Sequence, residues 1–301
     1  MNFISTLDFS QEQIIEIIEE SQTLKMGLND PILQGKTIAL LFEKPSLRTK
    51  MSFQIGISAL GGYSVYMGPD EVGLGYRESI FDVATVLSSY VDCIVARVNS
   101  HESLIELSDA ASVPVVNALS DVEHPCQAIA DILTIYEHKD MTQKNKLAFV
   151  GDGNNVSRSL CLLAAQMGID FSIATPSGYG FDQNTIDIAN AIANKTGSVL
   201  EFTNSPQISV KNADIVYTDA WTSMGQEIES EQRLKDFQGF TVDPELLNIA
   251  NSNVIFMHDM PVHYGEEVPE GMLSSHASVA YKQAYNRLPA QQAILKKLLQ
   301  D

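Results

Sequence analysis

A chain of 301 residues, 45% apolar and 19% charged, has ample surface to bury and is long for a single core, so two domains are expected. Thirty-eight Asp and Glu against nineteen Lys and Arg leave a net charge of -19, which excludes nucleic acid and anionic membrane surfaces as partners. A chain this acidic that handles a small anion must gather its few cations in one place, so the arginines carry the information.

Ser10 and Gln13 make a capping box ahead of Ile14, Ile17, Ile18 and Leu24, which recur at helical spacing up to Gly27. Strand patterns at 37–42, 63–67, 92–96 and 113–116 then alternate with helical ones at 49–60, 79–90 and 101–111, the signature of a parallel sheet built from βαβ units. A helix over 125–138 leads into the polar stretch HKDMTQKNK, which reads as a domain junction. Strands at 146–150, 171–175, 199–203, 215–218 and 254–257, with helices at 155–167 and 182–196, make a second α/β unit. A last helix at 276–299 lies beyond the final strand and is expected to cross back to the first domain. Cys93, Cys126 and Cys161 are odd in number and far apart, so neither a disulfide framework nor a structural zinc site is expected, and a reducing compartment is. The opening residues carry no leader pattern and no run of about 18 apolar residues occurs, which points to the cytoplasm.

The run from Phe42 to Thr49, F-E-K-P-S-L-R-T, sits where a buried strand ends and a helix begins, the place where open α/β sheets bind ligands. Ser46, Arg48 and Thr49 in a first helical turn would offer two hydroxyls, a guanidinium and unpaired N–H groups to a phosphate. The local chemistry alone leaves two readings open, an anion cradle or an ordinary N-cap with a surface arginine. Absence of a Gly-Lys-Ser/Thr element excludes a nucleotide P-loop. Gly151-Asp-Gly-Asn-Asn-Val156 also follows a strand and opens a helix. It lacks the third glycine of a dinucleotide fingerprint, and Thr175-Pro176 supplies no ribose-binding acid.

Ser46-Leu47-Arg48-Thr49 resembles the S-T-R-T carbamoyl-phosphate motif of the aspartate/ornithine carbamoyltransferase family, with Leu in the second place. His124-Pro125-Cys126-Gln127 matches that family's H-P-x-Q. Asp219-Ala-Trp-Thr-Ser-Met-Gly225 is similar to the D-x-W-x-S-M-G loop of its ornithine-using branch, and the GDGNN run and Asn286-Arg287 fit the same branch. These matches fall in order over nearly the whole chain.

The resemblance implies two three-layer α/β domains, each with a mainly parallel sheet flanked by helices and an active site in the interdomain cleft. Residues 1–138 would bind carbamoyl phosphate, with the last helix packed back on them, and 139–275 would bind the acceptor. It implies that Ser46, Leu47, Arg48, Thr49, Arg97, His124, Gln127 and Arg287 hold carbamoyl phosphate, with Asp259 and Met260 beside the carbamoyl group. Arg48, Arg97, His124, Asp259 and Arg287 would act in catalysis. His124 and Gln127, three apart on a helix, share a face and can address one carbonyl. Asn155, Asp219, Ser223 and Met224 would take the acceptor, Asp219 its α-ammonium and Asn155 its α-carboxylate. The expected reaction moves the carbamoyl group of carbamoyl phosphate to the δ-amine of L-ornithine, giving citrulline and phosphate, a step of arginine metabolism. Neither metal nor redox cofactor is implied, and the family's homotrimer is. Putrescine, an acylated ornithine or aspartate remain alternative acceptors, and a non-catalytic binding protein is the alternative from another class. Met257-His-Asp-Met-Pro261 departs from the branch's usual H-C-L-P by placing Asp259 where Cys is usual, and Tyr264 stands where Arg is frequent; His258 and His263 read as structural.

Overall fold

Thr37-Ile-Ala-Leu-Leu-Phe42 has no polar interruption, the pattern of a strand covered on both faces, and five of its six residues are buried. In the computed structural model, which describes residues 1–27, 30–223 and 225–300, it is an inner strand of the first of two parallel sheets. The chain divides into two units: residues 1–133 with the stretch from Tyr285 onward, and residues 134–284.

In chain order the first unit contains α1 (Gln11–Lys25), β1 (Thr37–Phe42), α2 (Leu47–Ala59), β2 (Tyr63–Met67), α3 (Pro69–Val72), α4 (Ile80–Ser88), β3 (Cys93–Arg97), α5 (His101–Ala110) and β4 (Val115–Leu119). Helix α6 (Pro125–His138) passes into the second unit, which holds β5 (Lys146–Val150), α7 (Asn155–Gln166), β6 (Asp170–Ala174), α8 (Gln183–Thr196) and β7 (Leu200–Thr203). After these come α9 (Pro206–Val210), β8 (Ile215–Tyr217), α10 (Ser230–Asp236), α11 (Pro244–Leu247), β9 (Ile255–Met257) and α12 (Ala280–Leu299), whose later turns belong to the first unit. No helix among the described residues is long and apolar enough to cross a membrane.

Strand order is β2-β1-β3-β4 in one sheet and β7-β6-β5-β8-β9 in the other, all pairs parallel. Both orders reverse direction once, between β1 and β3 and between β5 and β8. Crossover helices leave on opposite faces there, which opens a crevice at the carboxyl ends of those strands. The β1 end leads to Ser46–Thr49 and the β3 end is Arg97; the β5 end leads to Gly151–Asn155 and the β8 end to Asp219. Four of the polar segments singled out from the sequence therefore start at a switch point, whereas His124–Gln127 and Asp259-Met260 follow the edge strands β4 and β9. Buried Ala39, Leu41, Ile94, Ala96, Leu104 and Val115 knit the first sheet to its helices, and Val150, Val216, Trp221, Phe237 and Phe256 the second.

Most boundaries fall within two residues of expectation, and two differ by more. The fourth strand is Val115–Leu119 rather than 113–116, because Asn117, a polar residue at a buried position, donates its amide to the Ile4 carbonyl at 2.8 Å and so continues the strand. The last helix starts at Ala280 rather than 276, after the Val279 N–H has bonded to the Phe256 carbonyl at 2.9 Å.

Candidate active site

Ser46 caps α2, its Oγ accepting from the Thr49 N–H at 3.3 Å and donating to Thr49 Oγ1 at 3.0 Å. Arg287 of α12 donates from Nη2 to the same Thr49 oxygen at 2.8 Å. With two donors on its oxygen, Thr49 has its own proton left to give to an anion. Leu47 is 76% exposed, so its side chain contributes nothing to such a site and its first-turn N–H is what remains useful. Arg48 is half-buried on that turn, whereas Arg97 and Arg287 are buried, at 4% and 3% exposure.

His124 precedes Pro125 at the start of α6, and its carbonyl accepts the N–H groups of Gln127 and Ala128. Burial, and then the charges of Arg287 and Arg97, hold its imidazole well below the usual histidine range. The ring is therefore neutral at physiological pH and, set among guanidiniums, suited to donate to a carbonyl oxygen that gains negative charge. Its folded-state pKa lies below the unfolded value of about 6.5, so the unfolded chain takes up the proton first. The stability that neutral His124 contributes is complete above that pH and is lost below it, by up to about 1.4 kcal/mol per pH unit. Melting temperature is expected to fall more steeply between about pH 7.5 and 5.5 in the wild type than in His124→Asn. Parallel curves would show that the folded ring takes up its proton as readily as the unfolded chain does.

Gln127, 1% exposed, donates from Nε2 to Asp131 Oδ1 one turn on at 2.8 Å. That bond fixes the amide and leaves Oε1 buried with no hydrogen-bond partner among the described residues. A buried acceptor left in this state costs about 1–3 kcal/mol, and an N–H donor on a ligand would recover it. The turn carrying His124 is anchored from the N-terminus, a link the sequence reading missed. The buried carboxylate of Glu123 accepts from Ser5 Oγ at 2.7 Å, Thr6 N at 2.9 Å and Thr6 Oγ1 at 3.1 Å.

In the second unit, Asn154 is used up by structure. Its Oδ1 caps α7 by accepting from the Val156 and Ser157 N–H groups, both at 3.0 Å, and its Nδ2 donates to Asp219 Oδ2 at 2.9 Å. Asn155 directly follows that cap as the first residue of α7. Asp219 accepts the Ala220 N–H at 2.7 Å on its other oxygen and is 9% exposed. Ser223 is half-buried in a turn closed by its N–H to Gln226 Oε1 at 3.1 Å; Met224 lies outside the described residues. Gly153 also answers the dinucleotide question. A Cβ there would stand 2.7 Å from the Tyr179 carbonyl oxygen, so this glycine admits the chain's own backbone rather than a pyrophosphate.

Asp259 and Met260 follow β9 and lie in this second unit with the acceptor residues. Ligand atoms of Asp219, His258 and Asp259 fall within 4.8 Å of one another. His258 Nδ1 accepts the Met260 N–H at 2.9 Å and Nε2 faces Glu267 Oε1 at 3.2 Å, so its ring is spent on the turn and offers no lone pair to a cation. The turn places Met260 at φ 64, a region non-glycine residues adopt only where the surroundings impose it. His263 is exposed beside Glu266, and its backbone N–H donates to Glu267 Oε1 at 2.6 Å.

The first unit thus gathers Ser46, Arg48, Thr49, Arg97, His124, Gln127 and Arg287, three guanidiniums with hydroxyl and amide groups, as a dianion with a polar carbonyl requires. The second carries Asn155 on the turn after β5, Asp219 and Ser223 after β8, and Asp259 after β9, with Asp219 and Asp259 close together. Comparison with known proteins agrees with this division. Residues 1–137 match the carbamoyl-phosphate-binding domain of the aspartate/ornithine carbamoyltransferases and residues 143–298 their aspartate/ornithine-binding domain. The chain belongs to the aspartate/ornithine carbamoyltransferase family. It is 44% identical to the ornithine carbamoyltransferase of Halalkalibacterium halodurans over 99% of this chain and 95% of that one. The solved ornithine carbamoyltransferase of Pyrococcus furiosus superposes with a TM-score of 0.95 at 42% identity, covering 99% of this chain and 96% of the other. The anabolic ornithine carbamoyltransferase of Campylobacter jejuni gives 0.95 at 36% identity, with 99% and 98% covered.

Proposed function

We infer that the chain transfers the carbamoyl group of carbamoyl phosphate to the δ-amine of L-ornithine, releasing L-citrulline and phosphate. The observation that carries this reading is the first-unit cluster, where the buried Oε1 of Gln127 awaits a donor and neutral His124 stands among arginines. A carbamoyl group brings an NH2 for the one and a carbonyl oxygen for the other. Arg48 and Arg97 take the phosphate, and Thr49, His124 and Arg287 take the carbamoyl oxygen. The neutral δ-amine attacks the carbamoyl carbon, the oxygen gains negative charge against these donors, the bond from that carbon to the bridging oxygen breaks with its electron pair leaving on phosphate, and the proton lost by the amine is taken up by the departing phosphate. Asp219 holds the α-ammonium, and Asn155 with Ser223 the α-carboxylate. A citrulline colour assay with ornithine, putrescine, N-acetylornithine and aspartate tests the reading. Ornithine is expected to give the highest kcat/KM; a higher value for another acceptor reassigns the substrate, and no product with any acceptor overturns the activity.

Asp259 gives this chain its own pH behaviour. A carboxylate beside the δ-amine favours the ammonium, which is not nucleophilic, so the rise of kcat/KM for ornithine with pH is displaced upward. A thiol of ordinary pKa is mainly protonated near neutral pH. Asp259→Cys is expected to keep activity and move that rise down by about one pH unit, or about 1.4 kcal/mol. Superimposable profiles would mean that Asp259 points away from the amine. The native thiols do not complicate the variant, because all three are buried. Burial pushes Cys93 and Cys126 up to about 12 and Cys161 higher still. Iodoacetamide is expected to leave the folded wild type unlabelled and to label Asp259→Cys once, more slowly with ornithine present; labelling of the wild type would contradict the burial.

We assign the protein to a homotrimer in the cytoplasm. The first unit supports self-association, since Leu47, Met51 and Ile55 line one exposed face of α2 and Tyr63 and Val65 are exposed on the edge strand β2. Light scattering is expected to give three times 33.0 kDa.

A further inference from the structure

Arg233 belongs to α10, a short helix with no part in the assignments above, yet it is 5% exposed. One nitrogen, Nη1, donates both to Asp152 Oδ2 at 2.7 Å and to the Trp221 carbonyl at 3.0 Å. Its Nε donates to Glu229 Oε2 at 3.1 Å, and the guanidinium lies 5.0 Å from the centre of the Tyr179 ring, whose hydroxyl in turn bonds to Asp236 at 2.8 Å. Burial pushes the Asp152 carboxyl up, and the arginine opposes that shift by bonding and charge.

The two groups on Nη1 stand at revealing places. Asp152 is two residues before Asn154, which caps α7 and holds Asp219, and three before Asn155. Trp221 is two residues after Asp219 and two before Ser223. One guanidinium therefore joins the loop after β5 to the loop after β8, the two loops that present the acceptor residues. Those loops do not hold their conformation by internal bonding alone. Trp221 Nε1 is buried without an acceptor among the described residues, a cost that a loop at liberty to turn would relieve by exposing the indole N–H to water. A planar donor group with several N–H vectors suits this bridge, and a lysine ammonium does so less well.

We propose that Arg233 is a positioning residue for the acceptor amino acid, setting the spacing between Asn155 on one loop and Asp219 with Ser223 on the other. The proposal rests on the acceptor site assigned above. A two-ended amino acid must meet an anion for its ammonium and donors for its carboxylate at one fixed separation, and the Asp152–Arg233–Trp221 bridge fixes that separation.

Arg233→Gln shortens the side chain to about the reach of Nε and removes the charge and the forked donors; it is expected to raise KM for ornithine at least tenfold while kcat falls less and the carbamoyl-phosphate Kd stays within twofold. Arg233→Lys is expected to recover part of the loss. Amide hydrogen exchange on the unliganded protein gives a readout independent of any substrate. Residues 219–226 and 151–155 are expected to exchange faster in Arg233→Gln, with β5 and β8 unchanged. Because removing one partner of a buried ion pair can unfold a protein, Asp152→Asn, which retains an oxygen to accept from Nη1, is the second variant, with the same directions and smaller size. A folded variant with unchanged ornithine KM, equal losses for both substrates, or faster exchange spread through the unit would overturn the proposal. A wild type that makes no citrulline would instead defeat the assigned reaction, and the exchange data would then decide the bridge alone.

Discussion

Arg287→Ala is expected to lower kcat by about a hundred- to a thousandfold, the usual cost of removing one donor to a developing oxyanion. The residue is 3% exposed, bonds to Thr49 Oγ1 at 2.8 Å and lowers the pKa of His124, so its charge acts in a dry place where little solvent screens it. Substrate in its ground state carries most of its charge on phosphate, which in the proposed binding mode Arg48 and Arg97 would still hold. The loss should therefore appear in kcat more than in carbamoyl-phosphate affinity. The measurement is kcat with both substrates saturating, beside a melting curve to confirm folding. A fall of less than tenfold in a folded variant would place Arg287 away from the reacting oxygen.

Asp219→Asn is expected to cost ornithine about 1.5–3 kcal/mol of binding, a ten- to over a hundredfold rise in its KM, with carbamoyl-phosphate affinity unchanged. Both Asp219 oxygens accept N–H groups, from Ala220 and from the Asn154 amide, so an asparagine must set its own NH2 against one of these donors. The negative charge and the geometry are lost together. Norvaline, which keeps the α-ammonium and lacks the δ-amine, should lose affinity by the same factor. If norvaline binding is unaffected while ornithine suffers, Asp219 serves the δ-amine instead.

Much of this was legible in the sequence because it is written locally. The βαβ alternation, the helix-opening S-L-R-T run and the three-residue spacing of His124 and Gln127 are short-range patterns. The family that the motifs at 46–49, 124–127, 151–155, 219–225 and 286–287 resemble, with its fold and its reaction, agrees with the domains matched and the relatives found. What stayed hidden depends on partners distant in the chain. Arg233 and Asp152 are 81 positions apart, and Glu123 and Thr6 are 117 apart. Helix α10 itself is seven residues, S-E-Q-R-L-K-D, too short and too polar to show a period. Asn117 concealed the extent of β4 because a buried amide is acceptable only once its partner, the Ile4 carbonyl, is known.

The fixed amide of Gln127 has a consequence for discrimination among acyl phosphates. Acetyl phosphate has nearly the shape and charge of carbamoyl phosphate but presents a methyl group where the other presents NH2. The Nε2 bond to Asp131 prevents the amide from turning away, so a methyl group would seal the buried oxygen against protein and water alike. A pocket that merely fitted the acyl group would separate two such isosteres weakly, whereas one that leaves a buried polar atom unpaired rejects the wrong one by orders of magnitude. In the proposed binding mode, one turn of α6 would act as a filter between a metabolite that yields a urea and one that would yield an amide.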